Sequence, residues 1–131
     1  MITISIAKDF SRIPGARFPK EGNHSGQEFR MHVLLPKLKE AISSKEKLRV
    51  ILDGTAGLGT SFLEEAFGGL IRNDNVAYDT LKETLELVSE EDEEYIEEIE
   101  QYLTQLQRQN LFLIKFQSVF APLSFQLVDY Q

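Results

Sequence analysis

Apolar and polar residues alternate at the start of the chain, with Ile2, Ile4 and Ile6 set against Thr3, Ser5 and Ala7. A period of two marks a half-buried strand. Residues 8–24 break that pattern with Pro14, Gly15, Pro19, Gly22 and Asn23, which predicts a long turn-rich loop holding a short edge strand at Arg17-Phe18. From Ser25 the period changes. Met31, Leu34, Leu35, Leu38, Ala41 and Ile42 fall at helical spacing. Ser25-Gly26-Gln27-Glu28 opens that helix as a capping box, and Pro36 predicts a kink inside it.

Leu48–Leu52 reads as a short central strand and Asp53–Thr60 as a glycine-rich turn. Ser61–Arg72 reads as a helix with Phe62, Leu63, Ala66, Phe67, Leu70 and Ile71 on its buried side. Gly68-Gly69 lowers helix propensity there, which predicts close approach by a neighbouring backbone. A short helix over 76–83, a strand over 84–88, and a helix begun by Ser89 and Asp92 with the stripe Ile96, Ile99, Leu103 and Leu106 follow. Two apolar runs, 111–116 and 123–128, flank Ala121-Pro122 and read as a pair of strands. Strands alternating with helices predict an α/β layer with a mostly parallel sheet.

At 131 residues the chain suits one domain. The absence of Cys excludes a disulfide scaffold, a Cys-ligated zinc site and a thiol nucleophile. No run approaches the roughly 18 apolar residues of a membrane span, and Lys8 and Asp9 interrupt any leader-like segment. A cytoplasmic setting is the expectation. The net charge of −7 is uneven. Residues 1–49 carry ten basic and five acidic side chains, whereas eight acids crowd between Glu90 and Glu100. The acidic balance argues against nucleic-acid binding, and the acidic run reads as a solvated helix face or a dock for a basic partner.

The turn Asp53-Gly54-Thr55-Ala56-Gly57-Leu58-Gly59-Thr60-Ser61 carries the most chemistry. It joins a strand end to a helix start, where open α/β sheets place their sites. Gly54-x4-Gly59-Thr60-Ser61 matches a phosphate loop except that Thr60 replaces the Lys, so a nucleotide- or phosphate-binding module with weak hydrolysis is one reading. A second has Ser61 and Glu64 as a capping box. A third is a switch, with a hydroxyl at the helix start taking a phosphate that the dipole tolerates. Asp53 either accepts the turn's N–H groups or holds Mg²⁺. Arg17 and Arg30 are candidates to bind an anion near the Ser25 helix start.

Other residues offer less. His24 and His32, eight apart, make no metal pair on one helix face, and Glu64 and Glu65 diverge around their helix. No catalytic residue, metal or cofactor is expected. The aromatic residues Phe112, Phe116, Phe120 and Phe125 need burial, within the chain or across a homodimer.

Several motifs recur in order: Asp9-Phe10, Gly15-Ala16-Arg17, Ser25-Gly26-Gln27-Glu28-Phe29-Arg30, Leu35-Pro36-Lys37-Leu38, and Leu52-Asp53-Gly54 through Ser61 to Leu70. In these the chain resembles, over about residues 2–107, a STAS-like family of unknown function. That family is related in fold to the sulfate-transporter and anti-sigma-factor-antagonist (STAS) domains. The resemblance implies a STAS-like four- to six-stranded mixed sheet packed with helices over 1–107; outside it, the apolar runs make 108–131 a C-terminal β extension of the same domain. It also implies a bacterial regulatory domain that binds a partner protein through Asp53, Gly54, Gly57, Gly59 and Phe62. STAS relatives carry Asp-Ser-Ser-Gly at the equivalent helix start, and a serine kinase of the histidine-kinase-like ATPase fold phosphorylates the second Ser. Here the aligned residues are Gly59, Thr60, Ser61 and Phe62, so the hydroxyls match while the flanking Asp and Gly do not.

Overall fold

In the computed structural model, residues 1–129 are described, with side chains through Gln117. Strand β1 spans Ile2–Ser5 and runs directly into the short helix α1, Ile6–Asp9. Ser5 caps that helix: its Oγ accepts the Lys8 N–H, while its own N–H donates to Asp9 Oδ2 at 2.7 Å. Helix α2 (Gly26–Phe29), a π-helical turn (Arg30–Leu34) and α3 (Leu35–Ser44) form one continuous rod. The π turn ends two residues before Pro36, whose missing N–H leaves the His32 carbonyl without its usual donor, so the expected break takes this form.

Strand β2 (Leu48–Ile51) leads through the glycine turn to a second rod: α4 (Thr60–Leu63), another π-helical turn (Glu64–Gly68) and α5 (Gly69–Arg72). Helix α6 (Tyr78–Thr84), strand β3 (Leu85–Val88) and the long helix α7 (Glu94–Asp129) complete the fold.

The sheet has three strands in the order β1-β2-β3, all parallel. Ile4 pairs with Val50 and Val50 with Leu87, so these three share one face with Ile2, Leu48 and Leu85. That face meets the helices. The other carries exposed Thr3 and the Arg49–Glu86 ion pair at 3.1 Å. The core gathers Ile4, Leu48 and Val50 with Phe29, Leu34 and Leu38 from the first rod. Phe62, Leu63, Phe67 and Leu70 come from the second rod, and Ile99 and Leu103 from α7.

The sheet is therefore smaller than the expected four to six strands, and parallel rather than mixed. Arg17-Phe18 is no edge strand; it bends into a 3₁₀ turn over Pro19–Glu21. Nor is there a C-terminal β extension, because 111–116 and 123–128 continue α7 to Asp129. Short apolar runs do not distinguish strand from helix by periodicity alone. Gln107-Arg108-Gln109-Asn110 separates 111–116 from the helical stripe before it without Gly or Pro, and Asn110 alone does not end the helix, so it propagates.

Among the described residues, no helix is long and apolar enough to cross a membrane.

Candidate functional site

The glycine turn leaves β2 at Asp53 and is strapped to the connection between β3 and α7. Asp53 accepts the Glu90 N–H at 3.1 Å and the Glu91 N–H at 2.8 Å through its two carboxylate oxygens. Glu91 returns the bond, accepting the Gly54 N–H at 3.1 Å. Further along, Ala56 N–H donates to the Arg12 carbonyl and Leu58 N–H to the Tyr95 hydroxyl. Gly54 (φ +91°) and Gly57 (φ +154°) occupy backbone conformations that disfavour a side chain. Asp53 thus fixes a turn, though the N–H groups it holds belong to the neighbouring connection. The N–H groups of Gly54, Ala56 and Leu58 are all taken by acceptors of the chain itself.

The rod that follows begins earlier than expected. Gly59 is the cap residue of α4 (φ −75°, ψ 158°), without a side-chain bond, so Ser61 lies in the first turn and does not cap. Glu64, the other half of the expected capping box, turns instead to Arg17 and Arg72. Gly57, Gly59, Thr60 and Ser61 are exposed, whereas Phe62 is fully buried. Phe62 stacks on Phe29 with ring centroids 5.8 Å apart, and Phe10 closes on both. Its expected role in binding a partner is replaced by a role in the core, since the next helical position faces the sheet. Tyr102 of α7 reaches the rod's first residue: burial and the neighbouring Glu98 carboxylate push its phenol up, while a hydrogen bond with Thr60 pulls it down.

Arg17 and Arg30 do not form an open anion site. Arg30 is 4 % exposed, and its Nη1 donates to both the carboxylate and the main-chain carbonyl of Glu65. Its Nε lies 3.0 Å from Asp74 Oδ2, close as an ion pair but misaligned for a hydrogen bond. Arg17 pairs with Glu64, and Arg72 bridges Glu64 (2.6 Å) and Glu65 (3.1 Å). Burial raises the affinity of Glu64 for a proton, but the bonds from Arg72 and Arg17 outweigh it and hold the carboxyl below its ordinary range. The bond to Glu64 in turn raises Arg72. The cleft of about 320 Å³ here is lined by Arg17, Arg30 and Arg72 together with Glu64 and Glu65, and each of the three guanidinium groups already pairs with one of those carboxylates.

The sequence reading missed Glu65, Arg72, Asp74, Glu91, Tyr95 and Tyr102. One signal existed: Arg30 interrupts an apolar helix face, and a buried guanidinium requires carboxylates. His24 packs edge-on against Phe10 at 5.8 Å and His32 is exposed, so the structure does not bring them together. Among the described residues no group of acidic or His side chains is arranged to hold a metal.

A STAS-like α/β layer with an exposed, glycine-led helix start is what these elements define. The chain belongs to the family described as STAS-like domain of unknown function (DUF4325), whose profile matches residues 25–94. The match takes in both helical rods, the glycine turn and β3, and leaves Asp9-Phe10 and Gly15–Arg17 outside it. No curated protein matches the chain, and no solved structure does.

Proposed function

We propose that this chain is a non-enzymatic regulatory domain that docks a partner protein over Gly57–Ser61, with phosphorylation of Thr60 or Ser61 setting whether the partner binds. The supporting observation is the contrast along this segment. Gly57, Gly59, Thr60 and Ser61 face solvent, while Leu58 among them and Phe62 just after them are buried. Two hydroxyls are thus presented on a rigid helix start. By resemblance to STAS relatives, the partner is a bacterial serine kinase of the histidine-kinase-like ATPase fold.

The two hydroxyls differ in surroundings. A phosphate on Thr60 adds about −1.5 to −2 charge beside Tyr102, Glu98 and Glu64, which opposes the seating of α7. A phosphate on Ser61 sits in the same helical turn, where the dipole favours it. The phosphate-loop reading is weaker, because three of the turn's N–H groups, those of Gly54, Ala56 and Leu58, already meet Glu91, Arg12 and Tyr95.

Mass spectrometry of protein from its native host tests the switch, with Thr60→Asp and Ser61→Asp as mimics. Phosphate on either hydroxyl is expected, and Thr60→Asp is expected to lower the melting temperature relative to Ser61→Asp. Protein that stays unmodified while its kinase is present removes the switch and leaves docking alone.

A further inference from the structure

Helix α7 is 36 residues long, roughly 54 Å at 1.5 Å per residue, and only its first half has a domain to pack on. Ile96, Ile99, Leu103 and Leu106 meet the core. From Arg108 to Gln117 every residue is exposed, including Leu111 (50 %), Phe112 (67 %), Leu113 (53 %) and Ile114 (60 %). Five large apolar side chains within six residues, counting Phe116, make a patch on the order of 500 Å², at the top of what a monomer shows.

The sequence says what covers it. Leu106, Leu113, Phe120 and Leu127 recur every seven residues, with Phe116 and Leu123 between them at alternating spacings of three and four. A seven-residue repeat of this kind selects another helix carrying the same repeat.

Charge sets the direction. The distal half carries only Arg108, Lys115 and Asp129, whereas eight acids lie between Glu90 and Glu100 at its base. Parallel packing would set two acidic runs and two domains side by side; antiparallel packing places them at opposite ends.

We infer that the distal half of α7 is a self-assembly element, on which the same segment of a second copy packs antiparallel.

Sedimentation equilibrium of the full chain is expected to give a dimer, and Leu113→Glu a monomer with unchanged melting of the domain. A spin label on Gln101→Cys, unique because the chain has no Cys, reads the direction. Labels in an antiparallel pair stand about 50 Å apart at 1.5 Å per residue. A full chain that stays monomeric overturns the inference, whether or not it floats with phosphatidylglycerol vesicles. So does a Leu113→Glu variant that keeps its mass, and labels within about 20 Å overturn the antiparallel arrangement.

Discussion

The guanidinium of Arg30 occupies the space a side chain at Gly69 would need: a Cβ built there collides with Nη1, and Cζ would stand only 2.8 Å away. This contact joins the two helical rods. It explains why the second rod tolerates a glycine pair that costs helix propensity. The neighbour that approaches is a charged side chain, not the backbone the sequence suggested. Gly68 likewise faces the Glu64 carboxylate and Leu106.

Arg30→Met is expected to cost about 3–5 kcal/mol, because it leaves Glu65 buried without its closest cation. Gly69→Ala is expected to cost about 1–3 kcal/mol by overpacking. The double variant should cost less than the sum, since removing the guanidinium removes the clash. Urea denaturation of the four proteins measures the coupling. Strict additivity would show that the two residues do not sense each other.

Gly26 and Gly59 provide a second contrast. A Cβ on Gly26 would stand 2.6 Å from the Phe62 carbonyl oxygen, which is main chain and cannot swing aside. Gly26→Ala should therefore separate the rods at a cost of about 1–3 kcal/mol. Gly59 has open space around it and cap geometry without a capping side chain. Gly59→Ser should stabilise the domain by about 0.3 kcal/mol through a new cap bond. Thermal melts of both variants check the opposite signs.

Acid should weaken the Arg–Glu network in a defined window. Glu64 titrates below its ordinary value near 4.5 in the folded chain, so its contribution is complete above that value and is lost as pH falls through the folded one. The melting temperature of the native chain is expected to drop below about pH 4.5, and that of Glu64→Gln to drop less over the same range. Glu28, lowered by the Ser25 side-chain and backbone bonds, adds to the decline in both proteins. Parallel pH curves would assign the acid sensitivity elsewhere.

Most motif residues serve the fold, and that was only partly legible in the sequence. The Ser25–Glu28 capping box is formed as read, with Ser25 Oγ accepting the Glu28 N–H at 3.1 Å. The apolar face of residues 62–71 is buried as its spacing implied. The face of the first rod is narrower than its spacing implied: Leu34, Leu38 and Ala41 are buried, but Met31 and Ile42 are substantially exposed. Of the expected site residues, Asp53, Arg17, Arg30 and Phe62 hold turn, network and core, whereas Gly57, Gly59, Thr60 and Ser61 stay on the surface.

Between Ser25 and Leu106 the sequence by itself determined the order of strands and helices, the Ser25 cap and the glycine turn, because these depend on contacts within a few residues of one another. It also carried the seven-residue repeat of the last helix. Tertiary structure alone decided the partners of Arg17 and Arg30 and the acceptors of the turn's N–H groups. It decided too that the C-terminal apolar runs extend a helix past the domain instead of widening the sheet. The partners of Arg17 and Arg30 and those of the turn are brought together from 35 or more residues apart, and local patterning holds no record of such distances.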